Sequence, residues 1–173
     1  MTAFDTCYAS VIKSEGGFVN NRRDKGGVTN LGVTKRAWEA WIGHPVGEAD
    51  MRALTVPMVA PFYRAMYWNV VHGDSLPLSL ALCMFHCGVN SGPGRAAKLL
   101  QAMVGAVPDG SVGPGTLRAV AAFVAAHGER AAIMTFQDNY RAFYRSLADF
   151  AVFGKGWLNR AADVEQQAVG MIP

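Results

Sequence analysis

A chain of 173 residues, 51% hydrophobic and 17% charged, can bury a core without covalent staples and is too apolar for a disordered segment. Its formal net charge of +3 comes without a long Lys/Arg run or an aromatic-interleaved basic stripe, so nucleic acid is not an expected partner. The most apolar run, LPLSLALCMFHCGV over 76–89, is shorter than the roughly 20 residues that cross a bilayer, so no membrane insertion is expected.

In chain order the pattern is helical. Thr2 and Asp5 form a capping box, after which Phe4, Tyr8, Val11 and Ile12 share one helical face. Gly16-Gly17 ends that helix and leaves Glu15 at its C-terminal end. A glycine-rich segment follows, in which FVN (18–20) and VTNLGVT (28–34) suggest a small hairpin. Thr34 caps a second helix bearing Trp38 and Trp41, which Gly43, Pro45 and Gly47 break. Thr55 opens a third segment, with Val59, Phe62, Tyr63, Met66, Tyr67 and Val70 placed to face inward. Pro61 must start, kink or split that segment.

Pro77 begins the most apolar helix, which ends near Asn90-Ser91-Gly92 and reads as the buried centre. Pro93 starts another, with Ala96, Leu99, Leu100 and Met103 inside. After a loop at 107–116, helices are expected over about 116–126, 129–148 and from Trp157 to Gly170. The expected fold is mainly α, one domain over 1–173 with a small glycine-rich hairpin or loop insert near its N-terminus. Residues 1–91 carry the motifs and 92–173 form a helical half.

Cys7, Cys83 and Cys87 make no Cys-x-x-Cys pair and read as reduced, buried thiols, as suits a chain made in the cytoplasm. The N-terminus shows neither a basic n-region nor a cleavage site, so no signal peptide is expected. The four histidines are scattered, and no metal site or cofactor is expected. GPGRAA (92–97) imitates a dinucleotide fingerprint but follows a helix rather than a strand. Pro93 also removes an N–H that a phosphate would need, so a helix cap and a helix start account for it.

The segment SEGGFVNNRRDKGGVTNLGVT (14–34) cannot pack a core, and it holds two carboxylates, Glu15 and Asp24. Glycosidic hydrolysis requires one carboxyl to protonate the leaving oxygen. A second must activate water, act as nucleophile or stabilise charge. A helix end fixes Glu15, and a glycine-flanked hairpin can hold Asp24 and the Thr29 hydroxyl across a cleft. Gly26, Gly27 and Gly32 let backbone approach a bulky sugar.

These residues carry a resemblance. EGGFVNNRRDKGGVTNLGVT (15–34) resembles the signature of glycoside hydrolase family 108, N-acetylmuramidases found as phage and prophage endolysins and in secretion-activator proteins. The Glu15, Asp24, Thr29 spacing is also similar to the Glu-Asp-Thr set of phage-type lysozymes, one residue shorter before the threonine. CGVNSGPGRAAKLLQ (87–101), VPDGSVGPGTLRAV (107–120) and FGKGWLNR (153–160) resemble the family's predicted peptidoglycan-binding region and closing motif. Asn21 and Arg22 depart from the usual Asp-Pro, and His86 stands where an acidic residue is expected.

The resemblance implies a lysozyme-like helical fold, peptidoglycan glycan strands as partner, and cleavage of the N-acetylmuramic acid to N-acetylglucosamine bond; a monomer is expected. Glu15 falls on the proposed catalytic acid, and Asp24, Gly26, Gly27, Thr29 and Asn30 fall on the matching motif positions. Asn90, in the Asn-Ser-Gly stretch, joins the substrate-binding set. Tyr67, Trp68 and Trp157 are candidates for a sugar-stacking platform or for core. Arg22, Arg23 and Lys25 can attract wall-peptide carboxylates or form a solvated loop tip. With no signal peptide, the resemblance implies holin-type release to the wall in the periplasm. A non-catalytic wall binder and a secretion accessory that retains the fold stay open as alternatives.

Arg23 and Lys25 flank Asp24 and favour its ionised form. Burial and the negative end of the helix dipole favour a protonated Glu15. Groups pushed apart in this way take opposite roles as base and acid. The pH–rate profile should therefore be bell-shaped. Asp24→Asn should lower the rate and flatten the acid limb while leaving the alkaline limb in place. A fully active Asp24→Asn enzyme with an unchanged acid limb removes Asp24 from the mechanism.

Overall fold

The computed structural model describes residues 1–20 and 27–173. Among them, eight α-helices and a three-stranded antiparallel sheet divide into two compact units, Met1–Met66 and Tyr67–Pro173. The fold is mainly α, and it is of the lysozyme-like kind that the family resemblance implies.

In the first unit α1 (Ala3–Ser14) starts at the Thr2/Asp5 capping box, with both reciprocal bonds present. It buries Phe4, Cys7, Tyr8 and Val11. The sheet follows as β1 (Val19–Asn20), β2 (Val28–Asn30) and β3 (Val33–Thr34) in that spatial order, so the glycine-rich segment holds three short strands rather than a single hairpin. Thr29 pairs with Val19 on one side and Thr34 on the other. Thr34 caps α2 (Lys35–Ile42), its side chain accepting from the Ala37 N–H, and Gly43 ends that helix in the left-handed conformation.

A further short helix, α3 (Glu48–Arg52), is not among the expected elements. It starts at a glycine, Gly47, whose N–H donates to the Asp50 carboxylate at 2.7 Å. Phe18 lies under the Arg52 guanidinium at 3.9 Å, and Asn20 donates to Glu48 at 2.8 Å, so α3 buttresses β1.

Next comes α4 (Val56–Tyr63), which contains Pro61 and continues as a π turn over Arg64–Trp68. Met66 and Val70, expected inward, are exposed, while Trp68 is fully buried. A π turn adds a residue to the winding and so rotates the inward face off the 3.6-residue pattern. The apolar periodicity therefore points to the wrong residues beyond Tyr63.

In the second unit α5 (Leu78–Ser91) is buried along Ser79–Gly88 and packs against α6 (Pro93–Met103), α7 (Pro114–Arg145) and α8 (Phe150–Val169). Gly92 ends α5 and Pro93 opens α6, as the cap reading of GPGRAA requires. The two helices expected over 116–148 meet at Gly128, whose φ of 83° and ψ of 161° break the winding within α7. The last helix begins seven residues before Trp157. It runs through Gly154 and Gly156, and Gly154 is buried, where an added Cβ would lie 2.5 Å from the Phe150 ring.

Buried Gln101 organises the 107–116 loop. Its amide donates to Asp109 (2.7 Å) and to the Ser111 carbonyl (2.9 Å), and its oxygen accepts from the Gly110 N–H (3.0 Å). The Gln101 amide, and after it the Ser111 N–H at 2.8 Å, hold the Asp109 carboxyl below its ordinary range.

His86 on α5 is 2% exposed and borders a small cavity with Cys83, Asn90, Gln137, Tyr140 and Arg160. Burial, followed by the nearby Arg160 charge, depresses its pKa from 6.5 to about 4. The folded chain keeps His86 neutral at pH values where an unfolded chain would protonate it. Its contribution is complete above about pH 6.5 and is lost as the pH falls toward 4, on the order of 3 kcal/mol in total. Denaturant midpoints of wild type should fall through this window, and those of His86→Gln should fall less steeply. Equal slopes contradict the assignment.

Candidate active site

α1 unwinds at Glu15 because the next two residues are glycines. Glu15 takes extended backbone angles while its N–H still bonds the Val11 and Ile12 carbonyls. The backbone end of this side chain is therefore fixed by the helix, and the carboxyl is half-exposed. The chain then returns along the sheet. Glu15, Gly16, Gly17, Val19, Gly27, Thr29 and Gly32 line one open depression of about 200 Å³. The structure thus brings Glu15, Thr29 and Gly27 together as the sequence reading requires.

Asp24 and Gly26, and with them Asn21, Arg22, Arg23 and Lys25, lie outside the described residues. Among the described residues no three His, Cys, Asp or Glu side chains gather so as to hold a metal ion.

The connection between β2 and β3 is the two-residue turn Leu31-Gly32, with φ of 49° and 74°. Positive φ at both central positions is the type I′ hairpin geometry, which usually takes Asn or Gly first. Leucine there carries strain on the order of 1 kcal/mol or more. The Tyr63 hydroxyl, at the end of α4, donates to the Leu31 carbonyl at 2.9 Å. Gly32 must be glycine twice over. Its φ is positive, and an added Cβ would lie 2.6 Å from Glu15 Oε2 and closer still to the Tyr63 hydroxyl. By contrast, Gly16 and Gly17 have open space around them.

The remaining binding candidates do not line this depression. Asn30 is buried, and its amide donates to the Met51 carbonyl at 2.8 Å, which ties β2 to α3. That bond makes Asn30 part of the scaffold and corrects its reading as a sugar contact. Trp68 is fully buried edge-on to Phe85, so it offers no stacking face, which corrects the platform reading. Tyr67 is half-buried in the second unit. Asn90, also in the second unit, donates to the His86 carbonyl and accepts from Arg160. Trp157 stacks on Tyr144 at 5.2 Å. The sequence reading places Tyr63 in the core, because an aromatic at the end of an apolar helix face reads so.

Glu15 at a helix end and Thr29 on a strand line one glycine-bordered depression in a lysozyme-like fold. The glycosyl hydrolase 108 family model matches residues 8–92, and a predicted peptidoglycan domain matches residues 95–162. A solved structure, that of Brucella abortus SagA, is 36% identical with a TM-score of 0.84, over 97% of this chain and 94% of that one. No curated protein matches the chain. The chain belongs to the glycosyl hydrolase 108 family, and peptidoglycan is the polymer it hydrolyses or binds.

The close packing at Gly32 has a measurable consequence. Gly32→Ala should strain the turn and displace the Glu15 carboxyl. A misplacement of about 1 Å can cost about 10²-fold in rate. Gly115→Ala, on α7 and not among the lining residues, with ordinary backbone and open space, should retain most activity. Lysis of permeabilised cells, read beside thermal melts, compares the two. A Gly32→Ala protein as active as wild type contradicts the packing account.

Proposed function

We propose that the protein is an N-acetylmuramidase, cleaving the bond from N-acetylmuramic acid to N-acetylglucosamine with Glu15 as the general acid. The observation that carries this reading is the placement of the Glu15 carboxyl. A helix end fixes its backbone, and its carboxyl borders a depression shared with Thr29 and open glycine backbone. A glycan strand can enter such a surface, because the lining glycines present no side chains to a bulky sugar.

In this reading the glycosidic oxygen takes its proton from Glu15. Asp24 supplies the second carboxylate, either activating water or stabilising the charge that develops at the sugar carbon. The Thr29 hydroxyl helps to hold the attacking water, and Gly27 backbone borders the sugar. Thr29 suits that role because its strand pairs on both sides, which leaves its side chain on a fixed face. The second-half region supports the same polymer as partner, since the predicted peptidoglycan domain spans it. An endolysin role, with holin-type release to the wall, follows from the family resemblance. Among the described residues no helix is long and apolar enough to cross a membrane.

Glu15→Gln tests the acid assignment. The amide has nearly the same shape but no acidic proton to give, and general acid assistance is worth about 10²–10⁴-fold. Clearing of chloroform-permeabilised cells should fall by at least that factor, while thermal stability and binding to insoluble sacculi persist. A variant that clears cells at the wild-type rate removes Glu15 from the mechanism. A wild-type protein that binds sacculi but never clears cells establishes the binder reading instead.

A further inference from the structure

We propose that one stripe of α8, in the second unit, is a docking surface for the glycan strand of peptidoglycan. Phe153 and Trp157 lie under a sugar ring, Gly156 leaves it room, and Arg160 meets a wall-peptide carboxylate. This rests on the proposed reading of peptidoglycan as the partner of the second-half region. All four residues fall within the predicted peptidoglycan domain over 95–162. Positions 153, 156, 157 and 160 are spaced i, i+3, i+4 and i+7, so they share one stripe of the helix. Gly154, Ala161 and Ala168, seven apart and buried, mark a different face, the one packed into the unit.

Two features of the stripe have no cause in the packing of the chain. The first is its aromatic surface. Phe153 is 55% exposed, and Val152 beside it is 74% exposed. A single exposed apolar side chain is ordinary, but these adjoin half-buried Trp157, whose indole lies 5.9 Å from the Phe153 ring. Trp157 in turn stacks on buried Tyr144 at 5.2 Å, which fixes the ledge from within. The second feature is Gly156. Glycine inside a helix is less stable than alanine, so its presence there asks for a reason. Gly154 has one, since a side chain would strike the Phe150 ring. Gly156 has none within the chain, because nothing among the described residues lies within 4 Å of an added Cβ and its backbone is ordinary. What the missing side chain does is keep the surface between Phe153 and Arg160 clear.

Arg160 gives the stripe its charge. The guanidinium donates to the Asn90 amide oxygen, a neutral acceptor. Among the described residues no carboxylate forms an ion pair with it. A guanidinium carries five donors in a planar fork, so one bond to Asn90 anchors it and leaves others for a carboxylate. Seven residues of helix set Arg160 roughly 10 Å along the axis from Phe153. A peptidoglycan strand offers both chemistries at that kind of spacing. The C–H face of a sugar covers an aromatic ring, and the stem peptide on the neighbouring sugar carries carboxylates. A neutral glycan would use the ledge and leave Arg160 idle. A formal net charge of +3 on the chain suits the anionic polymer.

Binding of the full chain to purified sacculi, read by co-sedimentation on ice beside thermal melts, tests the surface. Gly156→Gln fills the clear space and favours the helix. It should weaken binding about 10-fold while the melting temperature holds or rises, a pair of signs that a purely structural role cannot give. Phe153→Ala should weaken binding by a similar factor, about 10-fold. Arg160→Gln should weaken binding to native sacculi and make no difference on sacculi whose carboxyls have been amidated by carbodiimide coupling. If Phe153→Ala melts early, Gly156→Gln decides alone. Wild-type affinity in Gly156→Gln overturns the inference, as does a wild-type chain that fails to sediment with sacculi. An equal loss from Arg160→Gln on native and amidated sacculi overturns the carboxylate contact. A dimer that Gly156→Gln dissociates, with sacculus binding unchanged, assigns the face to a second copy and overturns it too. Cell clearing keeps this separate from the muramidase reading. If Glu15→Gln fails to clear cells while Gly156→Gln binds as wild type, the docking surface fails and the acid stands. If Glu15→Gln clears cells while Gly156→Gln loses binding, the acid fails and the docking surface stands.

Discussion

The first unit depends on how closely a two-residue turn approaches the end of a helix. Gly32 lies so near the Glu15 carboxyl that no side chain fits between them. That approach requires α1 to stop at Glu15, β2 and β3 to join through two residues with positive φ, and α4 to bring Tyr63 up behind the turn. Remove any of these and the carboxyl loses a wall. The core of the unit serves this geometry. Tyr63 packs tilted against Tyr8 and edge-on to Phe62, an aromatic cluster that seats α1 and α4 together, and Asn30 ties β2 to α3. The strain at Leu31, on the order of 1 kcal/mol or more, is small beside what such a cluster contributes, since each buried aromatic is worth about 1.5–3 kcal/mol.

Much of this was legible in the sequence where side-chain chemistry marks the element. The Thr2/Asp5 box, the Thr34 cap, and prolines 77 and 93 announce helices that form where expected. The pairing of Glu15 with Thr29 was also legible, because the glycines between them cannot build a core and must instead build an edge. Elements whose cause is not a residue preference escaped. α3 starts at a glycine cap completed by Asp50, a weaker signal than a Ser or Thr cap. α8 runs through two glycines, because a bulky neighbour, Phe150, fills the space that a side chain at Gly154 would need. The inward face beyond Tyr63 was misread because a π turn rotates it, and no periodicity argument anticipates an inserted residue. That same turn accounts for Trp68, an apparent sugar platform that is buried.

The second unit is built around a different polar economy. His86, on a helix buried almost throughout, stands where an acidic residue is expected from the family resemblance. Burial holds it neutral, with a pKa of about 4. A neutral imidazole can occupy such a place without the desolvation cost that an ionised carboxylate would incur. In the loop at 107–116, the Asp109 carboxylate is engaged by Gln101 and by the Ser111 N–H. The Asp-Gly pattern there sets the shape of the loop. His86 and Gln101, both buried, follow the same rule, that a polar group taken from water must find partners or shed its charge.

The central claim is that this site cleaves after N-acetylmuramic acid, and the chemistry of the new chain ends tests it most directly. Sacculi digested with the purified protein, reduced with borohydride and analysed by mass spectrometry will carry a sugar alcohol at each newly made reducing end. A muramidase working through a carboxyl acid and water leaves muramitol at those ends, with the stem peptides still attached, and Glu15→Gln leaves none. Ends carrying glucosaminitol place the cleavage at the other glycosidic bond, and 1,6-anhydro ends show that water is not the nucleophile. Either result contradicts the account.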